Sequence, residues 1–336
     1  MINRLLGLIA LSLFFLIVTT ALLYAEYQTF LDTPLSIEKE TIFVVKPGMT
    51  FKDINNKLKM LHLTKDNTYL AILARYSGKA NKIKSGEYLF SPGLNPIELL
   101  NLLVSGKVIQ YSFTLLEGWQ VREMMHAINE TDLIKHTLLS DEPENLMIEL
   151  GYSDKAAEGL FFPDTYNFPK GTTDKAFLQR AYQRLHDVLD EEWQARTENL
   201  PYKTAYEALI MASIIEKETG LASERSTIAG VFVRRLNKNM KLQTDPTVIY
   251  AMGKQFNGNI RKKDLDIDSP YNTYRYKGLP PSPIALVGRE AIHAALHPEE
   301  GESLYFVAKG DGSHYFSETL KEHNQAVVKY QLNKSK

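Results

Sequence analysis

The sequence predicts an α+β protein in three parts: an N-terminal transmembrane helix, a small βααβ subdomain, and a mainly helical domain with additional strands. Three observations predict it. Leu5 to Ala25 reads LLGLIALSLFFLIVTTALLYA, 21 residues without a charge. Two short β-rich runs, Thr41–Val45 and Gly86–Phe90, bracket two stretches with apolar residues at helical spacing. From Asn95 onward the apolar residues recur mostly at helical intervals, interrupted by loops rich in Gly and Pro. The expected boundaries are 1–4 for a cytoplasmic N-terminus, 5–25 for the anchor, 26–40 for a linker, 41–108 for the βααβ subdomain and 109–336 for the larger domain.

Composition narrows the chemistry. Of 336 residues, 44% are hydrophobic and 24% charged, enough apolar mass to build a core. Lys and Arg total 39 against 40 Asp and Glu, a net charge of −1 that gives no overall attraction to nucleic acid. The chain has no cysteine, which excludes disulfides, Cys-ligated zinc, iron–sulfur clusters and a cysteine nucleophile. There is no Gly-rich phosphate loop and no G-x-S-x-G elbow. No cofactor is expected.

The apolar run of 21 residues would span about 31 Å as a helix, close to the hydrocarbon thickness of a bilayer. A cleavable signal peptide would be shorter and would present small residues before the cut. Leu23-Tyr24-Ala25-Glu26 does not, so an uncleaved single-pass anchor is the expectation. Arg4 precedes the run, and Glu26 and Asp32 follow it before any Lys or Arg. The positive-inside tendency then places the N-terminus in the cytoplasm and the rest outside the cytoplasmic membrane.

After the 26–40 linker, the run Thr41–Val45 leads into a Lys46-Pro47-Gly48 turn. Thr50 is placed to N-cap a helix, with Asp53 three residues on and Phe51, Ile54, Leu58 and Leu61 at helical spacing. A second helix is expected to start near Asp66-Asn67 and to end at Gly78, before Gly86–Phe90 returns as a strand. This order resembles a LysM-like module, as does Val45-x-x-Gly48-x-Thr50 followed by Ile54 and Leu58. LysM modules bind glycans containing N-acetylglucosamine. Asn95-Pro96 caps a further helix bearing leucines at 99, 100, 102 and 103, ended by Gly106. The pattern of Val45–Leu58 recurs at Leu115–Ile128, with Gly48 matching Gly118, as any strand–turn–helix would.

Asp132 to Gly151 is expected to be helical. The loop Glu158-Gly-Leu-Phe-Phe-Pro-Asp-Thr-Tyr166 is dense in aromatics that serve either a sugar cleft or a core. Ala176–Thr197 reads as an amphipathic helix with a charged face.

The most informative stretch is Pro201–Gly220, PYKTAYEALIMASIIEKETG. Thr204 with Glu207 forms a capping box, and Gly220 suits the C′ position. The helix between them has no wide polar face, yet its last turn carries Glu216, Lys217 and Glu218. Residues two apart lie about 200° apart around the axis, so Glu216 and Glu218 point to opposite sides. Either one projecting from an apolar wall at a helix C-terminus would hold its proton near neutral pH, as a general acid must. Charges in a last turn equally mark emergence into solvent.

Four further motifs follow in order: the helix Ser223–Leu236, Leu242-Gln-Thr-Asp-Pro-Thr-Val-Ile-Tyr250, Pro270-Tyr-Asn-Thr-Tyr274 and Gly278-Leu-Pro-Pro-Ser-Pro-Ile284. With Glu216-Lys-Glu-Thr219, and across essentially the whole chain, they resemble the MltG (YceG-like) family of membrane-anchored endolytic murein transglycosylases. The resemblance implies a lysozyme-like catalytic domain that cleaves the β-1,4 bond between N-acetylmuramic acid and N-acetylglucosamine without water. One glutamate then serves as acid and as base, where a hydrolytic glycosidase usually needs two carboxylates. Such enzymes place the catalytic Glu before Ser or Thr, so the resemblance assigns Glu218, followed by Thr219, and leaves Glu216 a supporting role. It also implies peptidoglycan strands as substrate, glycan polymerases as partners and a role in ending strand growth.

Around this helix, Gln243, Asp245, Thr247, Tyr271, Asn272, Thr273 and Tyr274 are the candidate substrate-binding residues. Asp245 before Pro246 also reads as an N-cap. Pro280-Pro281 stiffens a loop expected to wall the cleft. Histidines 293, 297, 314 and 323 match no metal motif and are expected to be satisfied or on the surface, so no metal site is expected. Aspartates 264, 266 and 268 read as a solvated loop. Two other functions stay open at this point: a silent peptidoglycan-binding anchor, and a hydrolytic muramidase using Asp245 or another carboxylate to orient water.

Overall fold

The computed structural model describes residues 2–64, 67–140, 142–152 and 155–332. The first helix, α1 (Ile2–Asp32), buries no residue and is long and apolar enough to cross a membrane. It continues past Ala25, so the first part of the expected linker is helical. The remainder is irregular, but it tucks Leu35 and Ile37 into a core.

The chain divides into two compact units, and the first runs to Tyr111 and takes in Asn167–Lys170. Strands β1 (Thr41–Val45) and β2 (Gly86–Phe90) pair antiparallel, with Thr41 opposite Phe90 and Val45 opposite Gly86. The period of two puts Phe43, Val45, Tyr88 and Phe90 inside and leaves Ile42 and Leu89 exposed. Phe43 and Phe90 stack at 4.9 Å between ring centroids. Between the strands lie α2 (Phe51–Met60) and α3 (Asn67–Tyr76); Asp66, where the second helix was expected to begin, is outside the described residues. The Thr50–Asp53 capping box forms, and Ile54, Leu58, Leu70 and Ala74 face the core. Helix α4 (Pro96–Ser105) is capped by Asn95 with Glu98 and stopped by Gly106 in the left-handed conformation. The buried Tyr88 hydroxyl donates to the carbonyls of Lys84 and Leu103, 2.6 and 3.0 Å away.

The boundary of the second unit falls within the pair β3 (Gln110–Thr114) and β4 (Thr165–Pro169). Helix α5 (Val121–Asn129) follows Gly118 at φ +75°, as α2 follows Gly48 at φ +82°; the recurring pattern is a strand–turn–helix in both places. The helix expected over Asp132–Gly151 forms only as α6 (Pro143–Leu150) among the described residues. Upstream, the Asp174 carboxylate accepts the backbone N–H groups of Thr137 and Leu138 at 2.8 and 3.1 Å, donors a helix would have used. The aromatics at 158–166 serve the core: Phe161, Phe162 and Tyr166 are buried. The rest comprises α7 (Asp174–Ala195), α8 (Ala205–Glu218), α9 (Arg225–Asn237), α10 (Asp245–Met252) and α11 (Arg289–Leu296). An antiparallel hairpin of β5 (Tyr305–Ala308) and β6 (His314–Ser317) leads into α12 (Leu320–Val327).

Helix α8 is the axis of this unit. Every residue from Ala208 to Ile215 is buried, and α7, α9, α10 and α11 pack around it. Thr204 caps it by accepting the Glu207 N–H, while the Glu207 carboxylate accepts the N–H of Lys203 instead of closing the expected box on Thr204. Buried Ser213 donates to Ile210 O and accepts the Ile284 N–H at 3.0 Å, tying the Pro-rich loop to the helix.

Candidate active site

Because α8 is buried until its last turn, its C-terminal carboxylates emerge among other elements and not into open solvent. Glu216 and Glu218 meet different neighbours. Glu216 accepts the Gly288 N–H at 3.0 Å, just ahead of α11, and lies 3.7 Å from the Arg225 guanidinium on α9. Burial raises its pKa, opposed by the Gly288 N–H. It ties three helices together.

Glu218 faces a cavity of about 460 Å³ within the second unit. The wall includes Arg235, Gln243, Asp245 and Tyr274, and the β5–β6 hairpin and α12 add Tyr305, Phe306, His314 and His323. Glu218 is half-buried, and burial pushes its pKa up to about 7. Thr244 opposes this by donating its hydroxyl to Glu218 Oε1, and the charge of nearby Asp245 reinforces it. Among the described residues no hydrogen bond is made to Oε2.

The candidates of the LQTDPT and PYNTY segments fall in three places. Gln243, Asp245 and Tyr274 line the cavity, and Tyr274 donates to Asp245 Oδ1 at 2.6 Å. Thr247, Asn272 and Thr273 are buried beneath it. Thr273 Oγ1 accepts the Thr244 N–H at 3.1 Å and shares a 2.9 Å bond with Thr247 Oγ1, which in turn donates to Thr244 O at 2.7 Å. Asn272 donates to the carbonyls of Leu265 and Ile267 and accepts the Tyr274 N–H, shaping the turn that presents Tyr274. Tyr271 is half-buried beside the Tyr250 ring, with its hydroxyl 2.6 Å from Ser282 Oγ.

Four features escaped the sequence reading. Asp245 is not the N-cap of α10. Thr244 holds that position, and its hydroxyl is spent on Glu218 instead of the helix N-terminus. Arg235 is buried in the cavity wall, where it donates to the carbonyls of Lys241, Leu242 and Leu304, at 2.6 to 3.1 Å. The clamp holds Gln243 at φ +53°, a left-handed conformation uncommon for this residue type. His323, expected to be satisfied or on the surface, lines the cavity with Nδ1 buried and unpartnered among the described residues, while His314 is satisfied by Glu224 at 2.7 Å. Asp264 is also no solvated side chain: it is buried and accepts the Arg261 N–H at 2.8 Å. An apolar stretch ending in an Arg pair was the one available sign of Arg235.

This geometry provides a polar cleft with one protonatable carboxylate, an anion nearby and aromatic walls. Residues 43–329 match the model of the YceG-like family. A protein of Bacillus subtilis named endolytic murein transglycosylase is 33% identical over 95% of this chain and 92% of its own length. A Streptococcus pneumoniae protein of the same name is 28% identical over 95% of this chain, which spans 64% of that relative. The crystal structure of a YceG-like protein from Listeria monocytogenes, 29% identical, covers 86% of this chain and all of its own, with a TM-score of 0.52.

Proposed function

This chain belongs to the YceG-like family, and from that premise we infer what its cleft does. The protein is an endolytic murein transglycosylase acting on peptidoglycan strands. In our reading Glu218 is its acid/base. The observation that carries the assignment is a single carboxyl group that lines a cavity of about 460 Å³, accepts the Thr244 hydroxyl and is pushed up to about 7 by burial.

The cycle we propose needs no second acid. Protonated Glu218 gives its proton to the glycosidic oxygen, the bond from C1 of the muramyl residue to that oxygen breaks, and the glucosamine portion leaves with a free 4-hydroxyl. The Glu218 carboxylate then takes the proton from the muramyl C6 hydroxyl as that oxygen bonds to C1. The product end is a 1,6-anhydro ring, and Glu218 is again protonated. A pKa near 7 suits a group that must give and accept a proton in one cycle. Thr244 orients the carboxylate, Thr247 and Thr273 hold Thr244, and Gln243, Asp245 and Tyr274 contact the sugar from the wall. Tyr271 and Asn272 shape the loop behind it. Glu216 braces the helix.

The position of Asp245 in the same wall favours one rival, a muramidase in which Asp245 orients a water. Product analysis decides. Glycan digested by the purified protein should yield internal fragments with anhydro ends; reducing ends would mean hydrolysis, and no release would mean a binder. Glu218→Gln should lower kcat by at least ~10²-fold, the low end for a positioned acid/base, with the fold retained. Full activity in that variant would sink the assignment, and a dead Glu216→Gln beside an active Glu218→Gln would reverse the two glutamates.

Helix α1, the one helix among the described residues long and apolar enough to cross a membrane, is consistent with a single-pass anchor. We propose that its N-terminus lies in the cytoplasm, on the charge asymmetry of Arg4 against Glu26 and Asp32, so that the catalytic unit works outside beside glycan polymerases. The βααβ arrangement of β1, α2, α3 and β2 supports a LysM-like role in holding the glycan.

A further inference from the structure

A second constellation of the catalytic unit lies on α7 and α11. Glu192, His293 and His297 each offer one ligand atom within 4.8 Å of the other two. His293 Nδ1 lies 2.8 Å from Glu192 Oε2. The two imidazoles, four residues apart, stack at 4.1 Å. His297 Nε2 is buried and has no hydrogen-bond partner among the described residues. A buried ring nitrogen left unpaired is costly unless something satisfies it.

The surrounding charge favours a cation. Glu192 is buried, and its other oxygen accepts from Arg289 Nη1 at 2.8 Å. Arg289 in turn pairs with Glu191 at 2.6 Å, so its charge is already met and the charge of Glu192 is left over. This is the outer contact that orients a ligating carboxylate.

We propose that Glu192, His293 and His297 form a binding site for a divalent cation of the zinc type. Two imidazoles and a carboxylate are a zinc donor set, and three protein ligands leave the fourth position to water on the exposed side of His293. For His293 to ligate through Nδ1, the hydrogen shared with Glu192 Oε2 moves to Nε2 of the same ring, which leaves Nδ1 and the carboxylate oxygen to face the ion. The ion fastens the last turns of α7 to the end of α11, whose N-terminal side holds Glu216 through the Gly288 N–H. Its role is to brace the fold, apart from the chemistry at Glu218.

The test uses the purified full chain in detergent, stripped with a chelator and titrated with zinc chloride by calorimetry. One ion per chain and a higher Tm at saturating zinc are expected, as is a four-coordinate visible spectrum when Co2+ replaces zinc. His293→Ala and His297→Ala should each weaken binding about tenfold or more and remove the Tm rise. His293→Ala also removes the 2.8 Å bond to Glu192, so the readout is the zinc-dependent rise above each variant's own metal-free Tm, which both substitutions should abolish. Absence of saturable zinc binding, or binding that survives both substitutions together, overturns the proposal.

Discussion

Glu216 and Glu218 are two residues apart on α8, yet one is spent on the Gly288 N–H and Arg225 while the other lines a cavity. Their opposed directions follow from helical geometry and were legible in the sequence. The partner that tunes Glu218 was not, because Thr244 looks from its position like part of a helix cap. The hydroxyl of Thr244 stabilises the Glu218 carboxylate, so Thr244→Val should raise the pKa of Glu218 further. With Glu218 as the proposed acid, the alkaline limb of kcat/KM should then move to higher pH, and a limb that stays put would remove Thr244 from this role. Stability gives a second check. The folded pKa of about 7 lies above the ordinary 4.5, so between these values the native state holds a proton that the unfolded chain has lost. Wild-type stability therefore falls as pH rises through that window and levels off above it. Glu218→Gln lacks the cost of burying a charge. Relative to wild type it should gain stability across pH 4.5 to 7, by up to about 3 kcal/mol at pH 8, measured by urea denaturation at each pH.

Helices with their own caps were readable from sequence, as Thr50 with Asp53 and Asn95 with Glu98 illustrate. Segments whose backbone donors are met by distant side chains were not. Asp174 keeps the stretch before α6 from coiling, and Arg235 holds the 241–243 loop and β5 from another helix, 6 to 69 residues away in sequence. The floor of the cleft was thus visible in the motifs, while the wall supplied by the β5–β6 hairpin and α12 was not. How closely that wall approaches depends on α9. A Cβ on Gly230 would come within 2.3 Å of the Glu299 carbonyl oxygen, a backbone atom that cannot swing aside. Gly230→Ala should force α9 away from the 299 segment, whose Glu299 carbonyl also accepts from Arg234 at 2.9 Å. The expected loss is about 1–3 kcal/mol of stability, read from the shift in urea midpoint. An unchanged midpoint would mean that the loop gives way freely.

At the scale of the whole molecule, where the apolar segment stops and the first folded unit starts is a question of which side chains have found a core. The apolar run ends at Ala25, but nothing in the polar composition of residues 26–40 marks Leu35 and Ile37 as core residues, because two isolated aliphatics carry no period. In the fold both are buried with Phe43, Tyr88 and Phe90, and partly buried Phe30 packs against the same cluster. The backbone is fastened too: Leu35 N–H donates to Leu94 O at 2.8 Å and Ser36 N–H to Leu63 O at 3.0 Å. Burying an aliphatic side chain of this size contributes about 1.5–3 kcal/mol, so losing both would remove a large part of what a unit of this size can accumulate. A soluble chain beginning at Glu26 should therefore melt cooperatively. One beginning at Glu38 should lose amide-exchange protection at β1 and β2 while α8 and α9 stay protected, since their core is built from other residues. If exchange at β1 and β2 is the same in both chains, Leu35 and Ile37 belong to the linker in energy as well as in sequence.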